Sequence, residues 1–453
     1  MHAMKSINRG LLLASTAIVA LAPAVASAQN AALQRLLERY AFFPSPPAFE
    51  GAVYAMANGE AANTVAAYGR ESDGTLELIG SFATGGRGGA FDGGEGLDPL
   101  ISAYAVELTP DRRFLLAVNA GSSTLSAFRI NRDFSLTRTS EVFTFGIGPN
   151  SIAVRGRNIY VTNIDADGQF AGEPDQEGSL IGYRLTRRGR LIPRFTTYRE
   201  LDNRPSAVRF SPDGRSLVVS SINAGSAALA SGSTDEIVLY GVNRRGIVSR
   251  APLSAGTSTL PGNAEGRNLP SAIGFEIVRE RGRQYVVVTE AREFRPDGTP
   301  PVFDSLQTGS VSSWEIGPGR ELIPVDLDVI TGDSITDGER TACWLAFSRD
   351  QSIFWVSNAL EASLSTYGFS EGRVTLIDAI AASGNGPQDG DPFGTTDGWI
   401  DLDTSRDGRY VYQLFGLAGK IGVFKVEEGG ALSLIQEVED ILPDANTQGL
   451  IAF

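Results

Sequence analysis

The sequence predicts an all-β fold, a seven-bladed β-propeller of four-stranded blades, and three observations lead there. First, one unit recurs: a short apolar strand, a tight polar turn, a second strand ending in Asn or a small residue, a third strand, another tight turn and a fourth strand. Second, six complete copies of it enter near Leu100, Asn150, Pro205, Pro270, Ala342 and Trp399. Third, the remainder fits. Val53 to Asn58, Val65 to Gly69 and Leu76 to Phe82 supply three strands at the front, and Gln448 to Phe453 supplies one at the back. Joined, they complete a seventh blade, and a ring closed by pairing the C-terminal strand with the N-terminal blade has no open sheet edge.

Taken in order, residues 1–28 read as a Sec signal peptide. Lys5 and Arg9 form a positive start, Gly10 to Leu21 is apolar, and Ala26-Ser27-Ala28 offers a small-x-small cleavage pattern before Gln29. The mature protein is thus expected in the periplasm or outside the cell, with no membrane span after signal cleavage, since no later stretch has the roughly 20 apolar residues a spanning helix needs. Residues 29–49 form an N-terminal extension in which Leu33, Leu36, Leu37 and Tyr40 have helical spacing. The propeller occupies residues 50–453.

The turns between first and second strands carry their own mechanism. Thr109-Pro110-Asp111-Arg112, Ser211-Pro212-Asp213-Gly214, Ser348-Arg349-Asp350 and Ser405-Arg406-Asp407-Gly408 share an Asp that bonds local backbone, with Pro110 and Pro212 presetting φ and Gly214 and Gly408 accepting a positive one. These turns and the equally short third-to-fourth turns share one face of an antiparallel ring. The long connections fall on the other: Thr84 to Pro99, Asp165 to Gly178, Ala224 to Asp235, Gly256 to Leu269, Ala291 to Gly309, Thr331 to Arg340 and Ser383 to Gly398. Long loops in compact domains tend to be functional or disordered, and seven on one face make the loop-rich face around the central channel the expected site for a small-molecule substrate.

Composition removes alternatives. The net charge of -14 supplies no basic footprint, so no nucleic-acid partner is expected. The one histidine, His2, precedes the cleavage site, which excludes Ser-His-Asp triads, Cys-His dyads and His-ligated metals from the mature chain. Cys343, the single cysteine, sits in the apolar run Ala342 to Phe347 and reads as an inert core thiol. Nothing indicates oligomerisation.

Tyr160-Val161-Thr162-Asn163, with Ala117-Val118-Asn119 and Val356-Ser357-Asn358, resembles the Tyr-Val-Thr-Asn repeat of one propeller superfamily. Together with Ser211-Pro212-Asp213-Gly214-Arg215 after Pro205-Ser206-Ala207-Val208, the pattern resembles the lactonase family of seven-bladed propellers, which includes 6-phosphogluconolactonase and carboxymuconate lactonizing enzyme. The resemblance implies lactone hydrolysis or a related isomerisation. It departs from the family at Pro149-Asn150, Pro205-Ser206 and Pro270-Ser271, where members show Pro-His, so any such chemistry here proceeds without imidazole.

If the channel mouth is the site, its side chains flank the inner strands. Glu290 is the candidate general base, with Arg204 and Arg340 to clamp an anion, and Asn150, Asn268, Asp397, Asn119 and Asn358 to bind substrate. Asn163, Asp165 and Asp167, followed by Gly168, have the alternating oxygen donors that open a calcium loop, although Pro174 stands where the loop's last ligand belongs. Calcium is therefore a candidate cofactor. The competing expectation is a non-catalytic ring that binds a protein, glycan or surface polymer through the same face.

Overall fold

The computed structural model describes residues 49–90, 98–165, 178–222, 236–258, 267, 270–292, 307–386 and 396–453. The signal peptide and the helix expected within 29–49 lie outside these residues. Seven four-stranded antiparallel sheets form the ring. Blade 1 joins Leu450–Ala452 to Gly51–Met56, Thr64–Arg70 and Leu76–Ala83, with Val53 opposite Ala452 and Ala55 opposite Leu450, so the closure read from the leftover strands holds.

Blades 2 to 7 begin with the innermost strands Val106–Leu108, Ile147–Arg155, Arg204–Phe210, Ser271–Glu280, Ala342–Phe347 and Trp399–Thr404, and each continues outward through three more strands. One element was not anticipated by the repeat: Gly332–Ser334 and Asp337–Gly338 pair as a small hairpin in the link between blades 5 and 6. Among the described residues no helix is long and apolar enough to cross a membrane.

The tight turns are held as their residues imply. The hydroxyls of Thr109, Ser211, Ser348 and Ser405 donate to the Oδ1 atoms of Asp111, Asp213, Asp350 and Asp407 at 2.8, 2.7, 2.8 and 2.6 Å. Each of those oxygens also accepts the backbone N–H two residues on, which pins the turn from both sides.

Neighbouring blades are stitched by aromatic side chains. Tyr160, Trp355 and Tyr412, each the third residue of a second strand, donate to the carbonyls of Gly246, Gly430 and Gly74 at 2.8, 2.8 and 3.1 Å. Those glycines lie in the third-to-fourth turn of the next blade, so a buried ring satisfies its polar atom while its body fills the space between blades. Cys343 is buried in the core, as expected.

Candidate functional site

The innermost strands are apolar runs interrupted by charge. Glu107 sits between Val106 and Leu108, Arg209 between Val208 and Phe210, Glu276 between Phe275 and Ile277, and Asp401 and Asp403 flank Leu402. An ionised group in such a place needs a partner, because leaving water unpaired costs several kcal/mol or more. Four innermost strands bring these groups around one mid-channel cavity, which Trp344 and Leu345 of blade 6 and Leu450 and Ile451 of blade 1 also line. It encloses about 390 Å³ of empty space, so narrow that the centres of water molecules can occupy only about 30 Å³ of it.

Arg209 organises the cavity. Its Nη1 donates to Glu107 Oε1 at 2.7 Å and its Nη2 donates to Glu276 Oε1. The guanidinium carbon lies 3.7 Å from the ring centroid of Tyr104, a cation–π contact. No group among the described residues accepts the buried Nε–H of Arg209. Tyr104 is held at φ +68°, in the left-handed region that bulky side chains rarely adopt, and its hydroxyl donates to the Phe275 carbonyl. Strain of this kind costs on the order of 1–3 kcal/mol and persists only where surrounding structure enforces it.

Burial raises the channel carboxyls towards neutrality. It pushes Glu107 up to about 7 even though Arg209 stands beside it. It pushes Asp401 up to about 7, despite the Gly449 N–H donated to Oδ2 at 2.8 Å, and Asp403 up to about 6, despite the Ala452 N–H at 2.9 Å. Asp98 is held well above the ordinary carboxylate range by burial and then by the charge of Asp401. Gln448 fixes it, donating to Asp98 Oδ1 at 2.5 Å and to the Ser102 carbonyl at 2.6 Å while accepting the Leu100 N–H.

A second charged cluster lies between blades 4 and 5. Arg292 Nη2 donates to Glu290 Oε2, to Asp328 Oδ1 at 2.9 Å and to Ser258 Oγ at 2.8 Å. Arg267 grips Asp328 with two nitrogens, Nε to Oδ2 at 3.0 Å and Nη2 to Oδ1 at 2.8 Å. Ser310 Oγ donates to Glu290 Oε2 at 2.5 Å. Glu236 completes the set, held well above its ordinary range by burial and then by the charge of Glu290, with which it is hydrogen bonded. Three carboxyls, those of Glu236, Glu290 and Asp328, meet two guanidiniums, so a protonated Glu236 balances the charge. Glu236, Glu290 and Arg292 are fully buried.

The candidates read from sequence separate accordingly. Glu290 belongs to the sealed cluster. Arg340, half-buried, donates through Nε to Glu361; the contacts described for Glu290 and Arg340 share no residue. Arg204 opens the innermost strand of blade 4 opposite Ile222. Asn119 and Asn358 take the bland role: their Nδ2 atoms donate to Thr124 and Ser126, and to Ser363 and Ser365, at 2.8 to 3.1 Å. Asn150 bridges blades, donating to the Pro205 carbonyl at 2.8 Å and accepting from Thr162. Asp397 accepts the Asn385 N–H at 3.0 Å in a loop-face turn.

Of the calcium-loop residues, Asn163 lies within a strand and donates to Ser179 Oγ at 3.0 Å. The Asp165 backbone pairs with Ile147, and its side chain, like Asp167 and Asn268, lies outside the described residues.

Reading strand ends missed the channel groups. The signal that finds them is an ionisable residue inside an otherwise apolar innermost strand. Glu290 shows a related signal: it faces Ser310 where Asn119, Asn163 and Asn358 face Thr124, Ser179 and Ser363 in their own blades, a carboxylate in place of a neutral amide.

No curated protein matches the chain. Among solved structures, it shares its fold with a provisionally named 6-phosphogluconolactonase from Bacteroides fragilis, at 13% identity over 90% of this chain and 99% of that one, TM-score 0.57. It is similar to the periplasmic gluconolactonase of Pseudomonas aeruginosa at 18% identity, covering 70% and 80% of the two chains, TM-score 0.51. It is also similar to a hypothetical selenium-binding protein from Sulfolobus tokodaii, at 12% identity, 90% and 94% coverage and TM-score 0.57. The model of the seven-bladed β-propeller lactonase family matches residues 48–169, so the resemblance read from the repeat stands on a family match over the first part of the chain and on a shared fold over most of it.

Proposed function

We propose that this chain is an exported, histidine-free, lactonase-type hydrolase that opens a small lactone in the central channel. The observation that carries the reading is the unpartnered Nε–H of Arg209, buried beside carboxyls tuned near neutrality and bordering empty space. Near-neutral carboxyls make effective acids and bases at physiological pH. In this reading Asp401 takes a proton from water as its oxygen bonds to the lactone carbonyl carbon, and Arg209 Nε–H donates to the oxyanion that forms. Collapse breaks the ring C–O bond, and protonated Glu107 gives its proton to the departing ring oxygen, leaving an open hydroxy acid.

Export rests on the pattern of residues 1–28. A periplasmic gluconolactonase shares the fold, which is compatible with that reading.

The test is turnover of a panel of aliphatic, aromatic and sugar lactones by the mature chain, followed as proton release in weak buffer. Hydrolysis reduced about 100-fold by Asp401→Asn, with folding intact, supports the reading. A folded wild-type protein that turns over none of the panel overturns it. The narrow waist of the channel favours one other reading, a non-catalytic ring whose loop-rich face binds a protein, glycan or surface polymer, and that reading gains if the panel is inert.

A further inference from the structure

The face opposite the long loops has a chemistry of its own. Lys5, Lys420 and Lys425 are the only lysines, so 36 of the 39 basic residues are arginines. Many gather on the tight turns of blades 3 and 4. Between Arg155 and Arg250 nine arginines are exposed, among them Arg157, Arg187, Arg215, Arg244 and Arg245, and in these turns only Asp213 opposes them. Among the described residues, none of the nine forms an ion pair with a carboxylate. A chain of net charge -14 therefore carries a concentrated patch of excess positive charge.

The patch is built as a groove. Arg155 of blade 3 reaches over to blade 4 and donates to the carbonyls of Pro212 at 3.1 Å and Asp213 at 2.7 Å. Gly214, at φ +65°, makes room for it: a Cβ there would lie 1.7 Å from Arg155 Nε. From the other side Arg320 donates to the Arg215 carbonyl at 3.2 Å. Carbonyl acceptors fix a guanidinium without cancelling its charge. Between these turns runs a groove of about 750 Å³ where Arg155, Arg215, Arg244 and Arg320 outnumber one carboxylate, Asp213, with Asn158 and Asn243 beside them. Through Arg215 and Arg320 it continues into a second groove of about 460 Å³, which Arg283 and Glu315 also line, and a third of about 360 Å³ follows between blades 2 and 3, where Arg113, Arg157 and Arg187 face Asp111.

We propose that this arc binds an anionic polysaccharide, its carboxylate or sulfate groups held by arginines and its hydroxyls by Asn158 and Asn243. Arginine offers a planar fork that matches such oxyanions two bonds at a time. The groove excludes the other polyanions. No aromatic side chain lines the first two grooves and Phe114 beside the third is buried, so the arc lacks the stacking platform that single-stranded nucleic acid uses. The first groove has no exposed apolar lining, and the single exposed Ile323 beside the second is too little to insert into a bilayer. A succession of grooves between turn tips suits a thin, flexible chain bearing a charge on each sugar.

The test uses the purified mature chain and fluorescein-labelled oligogalacturonate, read by anisotropy, with neutral dextran, single-stranded DNA and phosphatidylglycerol vesicles as competitors. The expected result is saturable binding that weakens at least tenfold between 50 and 300 mM salt. Arg215→Gln/Arg244→Gln/Arg245→Gln weakens it at least tenfold. Arg349→Gln/Arg373→Gln, which removes exposed arginines of blade 6 outside the arc, binds as the wild type. Absence of binding, equal weakening by both variants, or stronger competition by DNA or vesicles than by unlabelled oligogalacturonate overturns the proposal.

Discussion

In the channel, Arg209 is clamped between Glu107 and Glu276; between blades 4 and 5, Arg292 is clamped between Glu290 and Asp328. Both are guanidiniums held by two carboxylates inside a β-ring, and both have a further carboxyl pushed up by burial. They differ in access. Arg209 and Glu276 each keep a quarter of their side chain exposed and border empty space, whereas Arg292 and Glu290 have none exposed. Charge density and perturbed protonation are common to the two clusters, so they cannot by themselves distinguish a reactive site from a staple. A free donor beside a cavity can.

The largest expected effect tests the sealed cluster. Glu290→Gln removes one partner from a buried ion network and should cost about 3 kcal/mol of stability, read as a fall in the denaturant midpoint at unchanged slope. If it abolishes lactone turnover at full stability, the comparison is reversed and Glu290 is the base. Next comes Asp401→Asn, expected to reduce kcat about 100-fold, or about 2.7 kcal/mol of barrier. Comparable turnover by this variant would move the base elsewhere in the channel.

The third test uses pH. The Asp401 carboxyl is raised in the folded chain, so its contribution to stability is fully present below its unfolded value near 4 and is lost as pH rises through about 7. Relative to the wild type, Asp401→Asn should therefore flatten the stability profile between pH 5 and pH 8 by on the order of 2 kcal/mol. Asp98, whose own carboxyl feels the charge of Asp401, would relax with it. An unchanged profile would mean that the channel admits enough water to solvate the carboxylate. Smallest is Asn358→Ala, which strips the hydrogen bonds to Ser363 and Ser365 and should cost about 1 kcal/mol without touching turnover. Loss of turnover there would restore the asparagine ring to the site.

The ring was legible because its information is local. Ser405 and Asp407 specify their turn within a few residues, and the unpaired strands at the two ends needed only each other. The candidate site was less legible because it is assembled across blades. Glu107, Arg209 and Glu276 come from three different innermost strands, and nothing near Arg209 in sequence announces the carboxylates that hold it. Attention to strand ends selected Glu290, Asn119 and Asn358, where ladder ends demand polar caps for structural reasons. Net charge misled in another way: it averaged an arginine arc on one face with long connections that carry 19 acidic residues and five arginines.

Closure of blade 1 has a kinetic consequence. Val53 pairs with Ala452, so a strand near the front of the propeller waits for one made almost 400 residues later. The other six blades are runs of adjacent hairpins and can form as the chain emerges. Only the last joining is long-range, and until it happens Gly51–Met56 presents an unpaired edge able to recruit the wrong strand. Contacts so distant in sequence form slowly and leave intermediates open to aggregation. The three residues Leu450–Ala452 thus govern when the protein becomes safe as well as how it stays closed.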